Sequence, residues 1–412
     1  MVKVWYHTIR TYPVNIKKFI WANAFLQIGL GMFSVMYNLY IKSIGFSELV
    51  NGRVISMQSL ATAIMLIPAG FIGDRFGRKY LLLYGSLLSG FTLIIRSLIE
   101  TQSLLVFFAF LTGLFYSFVQ VSMVPFMADY SKDLDRVSLF SFNFAMQMAA
   151  NMIGNILGGI LSDGIEGLFH LPEEYSLKIT LMIGAIFFLI SVIPLWQIKE
   201  KKRTMKKQSK EQWNFRKNKD QFIIIMKFTT ASLIIGSGSG LVIPYLNLYF
   251  RDRFDASYSS IGFVVSLGQL ATALAMLIGP ALVKRVGEVK GVVILQLSSI
   301  PFLLLTGYTK IYVVAILGFL FRQALMNAGN PIQQALMMEK VDDSMKGVAN
   351  SLGQMVFNLG WAFMGPISTA IVARGGSYYG YATVFTITTG LYIIGSFYFF
   401  YMLRGIKKTR TI

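Results

Sequence analysis

The chain has no cysteine, two histidines and only 19 acidic residues among 412, and charged residues make up just 14 % of it. Without cysteine there is no disulfide framework and no thiolate metal site. His7 and His170, like the aspartates and glutamates, fall in tails, turns or the ends of apolar runs. Carboxylates and histidines inside a membrane span are the usual proton relays, so a buried acid is not expected to drive the chemistry. Coupling through Asp74 or Asp129 at the edge of an apolar run stays open. No nucleophile beside a base, no phosphate-cradling glycine loop and no metal-ligand spacing occurs. The chain is therefore not expected to be an enzyme or to hold a cofactor or metal.

What is abundant is apolar sequence. A soluble domain carries about 25 % charged residues. Here 55 % of residues are hydrophobic and the mean hydropathy is +0.59. A helix needs about 20 mostly apolar residues to cross the hydrocarbon layer. Twelve runs qualify, near 20–41, 51–73, 80–99, 103–128, 137–162, 177–197, 222–249, 258–283, 289–308, 311–337, 347–372 and 379–403. The first is too long for the apolar part of a cleaved signal peptide, so it is expected to stay as a span.

The net charge of +19 suggests nucleic acid until its distribution is considered. Most lysines and arginines fall on the N-terminal tail, the even-numbered turns and the C-terminal tail, with a dense run in residues 199–219. That is the positive-inside pattern. It predicts both termini in the cytoplasm and a basic linker near anionic headgroups. The lipid bilayer is thus the expected partner, and nucleic acid is not.

The linker separates two matching halves: an N-terminal six-helix bundle over 1–197, the basic linker over 198–221 and a C-terminal six-helix bundle over 222–412. Gly29, Gly31, Asn38 and Tyr40 return as Gly238, Gly240, Asn247 and Tyr249. Leu60-Ala61-Thr62-Ala63 returns as Leu270-Ala271-Thr272-Ala273. Asn143, Gln147 and Asn151 return as Asn350, Gln354 and Asn358. The offset is about 210 residues each time, and generic likeness between apolar helices does not put amides and glycines in register. Parallel repeats of this kind place a site near the midplane between two halves.

Between the second and third runs stands GFIGDRFGRK, residues 70–79, with Asp74, Arg75, Arg78 and Lys79 around Gly73 and Gly77. The spacing Gly70-x-x-x-Asp74-Arg75-x-Gly77-Arg78-Lys79 resembles the signature loop between helices 2 and 3 of the major facilitator superfamily. That resemblance covers essentially the whole chain. It implies an all-α membrane protein of twelve transmembrane helices in two pseudo-symmetric bundles, working as a secondary transporter of bacterial type. It also implies a gating set of Gly70, Asp74, Arg75, Gly77, Arg78, Lys79, Asp129 and Arg136. Within that set Arg78 would pair with Asp129, and Asp74 would sit against the start of span 11 near Lys346. Residues Glu339 and Lys346 repeat Asp129 and Arg136 after span 10. The second copy of the loop, Val283 to Glu288, keeps basic charge and Gly287 but has no aspartate.

Amides supply most of the polarity inside the spans, and they avoid spans 3, 6, 9 and 12, with Gln296 the exception. In the superfamily those four helices are peripheral and the other eight surround the cavity. The candidate substrate contacts are Gln27, Gln58, Tyr116, Gln120, Gln147, Asn151, Gln269, Arg322, Asn327, Gln354, Asn358 and Trp361. A spacing of four stacks residues on one helix face. The competing reading is that each amide only bonds a neighbouring helix, worth about 0.6 kcal/mol.

Arg322 lies near the middle of span 10, where an arginine costs at least about 2.5 kcal/mol. It must meet water, a partner or an anion. With Asn327 and Gly329 it loosely resembles the arginine-bearing motif of family drug exporters. That motif belongs in span 4, where this chain has Thr112.

The expected function is alternating-access transport of a small organic solute, with drug-exporter-like efflux leading. The alternatives are an uptake permease for a polar or anionic solute, and a transporter-fold sensor or scaffold signalling through the linker. A plasma-membrane monomer is expected, with proton coupling open. Acids away from the cytoplasmic edge, Glu48, Glu100 and Asp163 among them, are expected to be dispensable.

Overall fold

A computed structural model describes residues 12–130, 136–199, 219–342 and 345–403. Most of the basic linker, and Asp133, Asp135 and Asp343, lie outside these residues, as do the side chains of Asp74 and Arg136. Among the described residues the chain is helical throughout, with no strand.

The helices in order are α1 (Val14–Ser43), α2 (Glu48–Phe76), α3 (Arg78–Leu98), α4 (Gln102–Tyr130), α5 (Arg136–Phe169) and α6 (Glu173–Ile190, continued by Val192–Trp196). The second series is α7 (Lys219–Val242, continued past a 3-10 turn by Leu246–Phe254), α8 (Tyr258–Val286), α9 (Glu288–Ser298 and Ile300–Tyr308) and α10 (Tyr312–Ala328 and Asn330–Lys340). It ends with α11 (Lys346–Gly375) and α12 (Tyr381–Leu403). Among the described residues eleven stretches are long and apolar enough to cross a membrane, and the last, Lys346–Leu403, runs for 58 residues. A π-type turn at Gly376–Gly380 divides it into α11 and α12, which brings the count close to the expected twelve. This is a multi-pass membrane protein.

The internal repeat reappears in the packing. Helix α1 packs on α5 and α6, and α7 packs in the same way on α11 and α12. Helix α3 lies against α4 and α6, and α9 against α10 and α12. The repeated glycines explain how such long helices come so close. A Cβ added to Gly29 would lie 2.5 Å from the Gly184 carbonyl oxygen of α6, and one on Gly240 would lie 2.8 Å from the Trp361 Cα of α11. With no water or hydrophobic force between spans, association rests on this contact between backbones.

Two other repeated glycines turn the chain. Gly77 (φ 99°) opens α3 and Gly287 (φ 88°) opens α9. Both sit in the positive-φ region that L side chains avoid, so each hairpin between neighbouring spans needs glycine at that step.

Cα packing divides the chain into two compact units. One holds residues 1–44, 64–205 and 257–266, and the other holds 45–63, 206–256 and 267–412. These differ from the sequence halves in two short pieces. The start of α2 is counted with the second unit and the start of α8 with the first. Those pieces are themselves equivalent in the repeat.

Candidate functional site

In the first unit the loop after α2 is held by charge. Arg78 Nη1 lies 3.6 Å from Asp129 Oδ2, joining the first residue of α3 to the end of α4. Asp129 is exposed and Arg78 half-buried. Arg75 lies over the Phe76 ring at 5.5 Å, and Lys79 lies over Tyr80 at the same distance. Gly70 faces Val121 of α4, whose side chain a Cβ there would touch at 3.9 Å.

The amides of this unit form short chains along α1, α4 and α5. Asn23 Nδ2 donates to Asn143 Oδ1 at 2.9 Å, and both side chains are buried. Asn155 Nδ2 donates to Asn151 Oδ1 at 3.4 Å, while Ser34 Oγ donates to Asn155 Oδ1 at 3.2 Å. Gln147 Nε2 reaches the Met123 sulfur at 3.6 Å. Gln27, Tyr116, Gln147 and Asn151 are half-buried and Gln120 is exposed. Asn23 and Asn143 thus act as interhelical ties, whereas the half-buried set keeps polar surface open.

In the second unit Trp361 Nε1 of α11 donates to Ser239 Oγ of α7 at 2.9 Å. Asn358 Nδ2 donates to the Gln354 carbonyl one turn earlier, at 2.8 Å. Gln58, Gln269, Asn327 and Asn358 are half-buried and Gln354 is exposed. Gln296, the one amide inside span 9, is buried and accepts from Ser396 Oγ of α12 at 3.0 Å.

Arg322 is 4 % exposed. Its Nη1 donates to Gln323 Oε1 at 2.8 Å and its Nη2 to the hydroxyl of Tyr392 on α12. The guanidinium carbon lies 5.4 Å from the Tyr392 ring centroid. The Nε atom is buried with no hydrogen-bond partner. The arginine is therefore held by a phenol and an amide, which together offset part of its desolvation cost. It faces α12, one of the helices poor in amides.

Two features go beyond the sequence expectations. Arg96, near the end of α3, is 3 % exposed, with its guanidinium 4.1 Å above the Tyr37 ring of α1. This is a stacked cation–π pair in a water-poor setting. Its place in the last turn of an apolar run is the one trace of it in the chain. The second feature is Tyr392, an aromatic on α12 with no charged neighbour in sequence.

Among the described residues no group of three or more His, Cys, Asp or Glu side chains could hold a metal ion.

A family model described as Major Facilitator Superfamily matches residues 19–236 and 228–411. An uncharacterized MFS-type transporter of Methanocaldococcus jannaschii is 24 % identical over 396 residues, covering 90 % of this chain and 95 % of that protein. The multidrug resistance protein MdtG of Escherichia coli (strain SMS-3-5 / SECEC) is 26 % identical over 419 residues, covering 95 % and 96 %. Among solved structures, that of the nucleoside transporter NupG superposes with a TM-score of 0.74 at 17 % identity, covering 95 % and 99 %.

Proposed function

The chain belongs to the major facilitator superfamily, and on that footing we propose that it exports a small organic solute across the cell membrane by alternating access. The observation that carries this reading is the full-length similarity to MdtG, at 26 % identity over 95 % of the chain. The Arg78–Asp129 pair beside the charged loop fits a cytoplasmic gate that closes in one phase of the cycle.

In this proposal the sequence halves 1–197 and 222–412 are the moving bundles, and 198–221 is a cytoplasmic linker beside the headgroups. Both termini are cytoplasmic. The substrate contacts are Gln27, Gln58, Tyr116, Gln120, Gln147, Asn151, Gln269, Asn327, Gln354, Asn358 and Trp361, with Arg322 as contact or gate. Half-buried amides offer both donors and acceptors, which suits a solute with mixed polarity. The gate comprises Gly70, Asp74, Arg75, Gly77, Arg78, Lys79, Asp129 and Arg136.

A second reading, uptake of a polar or anionic solute, draws on Arg322. Its guanidinium carries a fixed fork of donors, and its Nε has no partner. The likeness to a nucleoside transporter supports the fold alone.

The test is flux by purified protein in liposomes, after a substrate screen by thermal stabilisation. Saturable flux of a stabilising amphipathic compound, directed outward from the cytoplasmic face, supports export. Inward flux of a polar anion supports the second reading. Stabilisation without flux returns the chain to a sensor or scaffold.

A further inference from the structure

Helix α8 begins in an unusual seat. Its first residue, Tyr258, is 1 % exposed, although helix starts after a turn normally face solvent. Asp163, near the end of α5, takes both of the first backbone donors: Oδ1 accepts from Tyr258 N at 3.1 Å and Oδ2 from Ser259 N at 2.7 Å. The Tyr258 hydroxyl donates to Glu173 Oε1 in the first turn of α6. Farther along, Ser266 Oγ donates to the Met152 carbonyl of α5 at 3.0 Å. The backbones meet here. A Cβ on Gly159 would lie 2.8 Å from Ser259 Cα, and one on Gly262 would lie 3.5 Å from Gly159 Cα.

The chemistry makes this more than packing. The first N–H groups of a helix have no partner inside it, and its N-terminus favours negative charge. A carboxylate accepting two of those donors makes charge-assisted bonds roughly twice as strong as neutral ones. Asp163 stands 95 residues away in sequence, so this is a tie between helices and not a local cap. By the positive-inside pattern this end of α5 and α8 faces the outside.

We propose that Asp163 and Glu173 are positioning residues for the transport cycle. They form a clasp that holds the first turns of α8 on α5 and α6, and its release sets how often the outer side opens. The proposal rests on the alternating-access reading above and deepens it. It replaces the sequence expectation that Asp163 is dispensable. The negative charge of Asp163 is the element that matters, because an uncharged amide offers one acceptor where the carboxylate offers two.

The native chain has no cysteine, so single-cysteine labelling reads α8 directly. Ser266 is fully buried, and Ser266→Cys nearly preserves its shape. The full chain in liposomes is exposed to a water-soluble maleimide from the outside. With Asp163 present, labelling is slow. Asp163→Asn raises the rate about fivefold, the scale of one charge-assisted cap, and Tyr258→Phe raises it by less. Asp163→Glu, bulkier but still charged, labels more slowly than Asp163→Asn. A purely steric role gives the opposite order, since Asn is the better isostere, and that order overturns the proposal. Equal, measurable rates in Asp163→Asn and in its parent also overturn it, while leaving alternating access intact. No labelling in any variant means that α8 never leaves α5, which overturns the transport reading and the clasp with it. Ser396→Cys, buried between α9 and α12, labels only on unfolding and identifies any variant that fails to fold; Tyr258→Phe then carries the comparison.

Discussion

Arg78 Nη1 stands 3.6 Å from Asp129 Oδ2, tying the first turn of α3 to the last turn of α4 across the charged loop. The pair is partly open to solvent, and exposed pairs contribute about 0–1 kcal/mol. Under the proposed gate, its value lies in the state it favours and not in overall stability. Asp129→Asn should leave the melting temperature within about 2 °C of the parent while lowering flux several-fold. The exchange Arg78→Asp with Asp129→Arg should recover part of that flux. Full flux in Asp129→Asn removes the pair from the gate.

Asp74 carries the companion prediction. Asp74→Asn keeps the shape and loses the charge that a helix start favours. Strongly reduced transport with normal expression and folding is the expected result. Wild-type flux in liposomes excludes Asp74 from the mechanism.

For Arg322, the structure adds Tyr392 as the lever. Tyr392→Phe removes the oxygen that accepts from Nη2 and leaves a buried charge with one bond fewer. A loss of about 1–3 kcal/mol is expected, read by thermal unfolding. Arg322→Lys and Arg322→Gln then separate two roles. Where an anion is bound, both weaken binding and Gln does so more. Where Arg322 serves a neutral network, Gln is the milder change and substrate binding persists.

Two glycine substitutions should move stability in opposite directions. Gly240→Ala places a methyl 2.8 Å from the Trp361 backbone, and overpacking of this kind costs about 1–3 kcal/mol. Gly353 in α11 has nothing within 4 Å of an added Cβ. Gly353→Ala should stabilise by about 0.4–1 kcal/mol. Thermal unfolding in the same detergent checks both, and destabilisation by Gly353→Ala contradicts the open space at that position.

Glu100 offers the quiet control. It pairs with Lys178 at 2.9 Å but is 61 % exposed. Glu100→Gln should leave flux and melting temperature nearly unchanged. A marked loss of flux would place an essential acid outside the cytoplasmic edge.

The twelve apolar runs, the repeat and the loop were legible because each leaves a periodic or compositional trace in the chain. Asn143 and Gln147 could be placed on α5, but not which amide ties helices and which stays open: Asn143 bonds Asn23, while Gln147 remains half-buried. That depends on the rotation of α1 against α5, which hydropathy does not encode. Tyr392 was illegible because it is one of four phenols on an otherwise apolar helix, and nothing in the sequence singles it out from lipid-facing residues. The role of Asp163 was hidden for a different reason: its partners are the backbone N–H groups of Tyr258 and Ser259, and every residue except proline has one. The break between the last two runs was legible too, and the structure makes it a π-type turn at Gly376–Gly380 and not a polar loop.

The exchange of short pieces between the compact units bears on how the protein is made. The first unit includes residues 257–266, which are synthesised after the linker. The second includes residues 45–63, which are synthesised long before the rest of it. An N-terminal half ending in the linker would lack the partner that Asp163 holds, and a C-terminal half would lack the start of α2. Each sequence half thus lacks a short piece of the compact unit that it mostly builds.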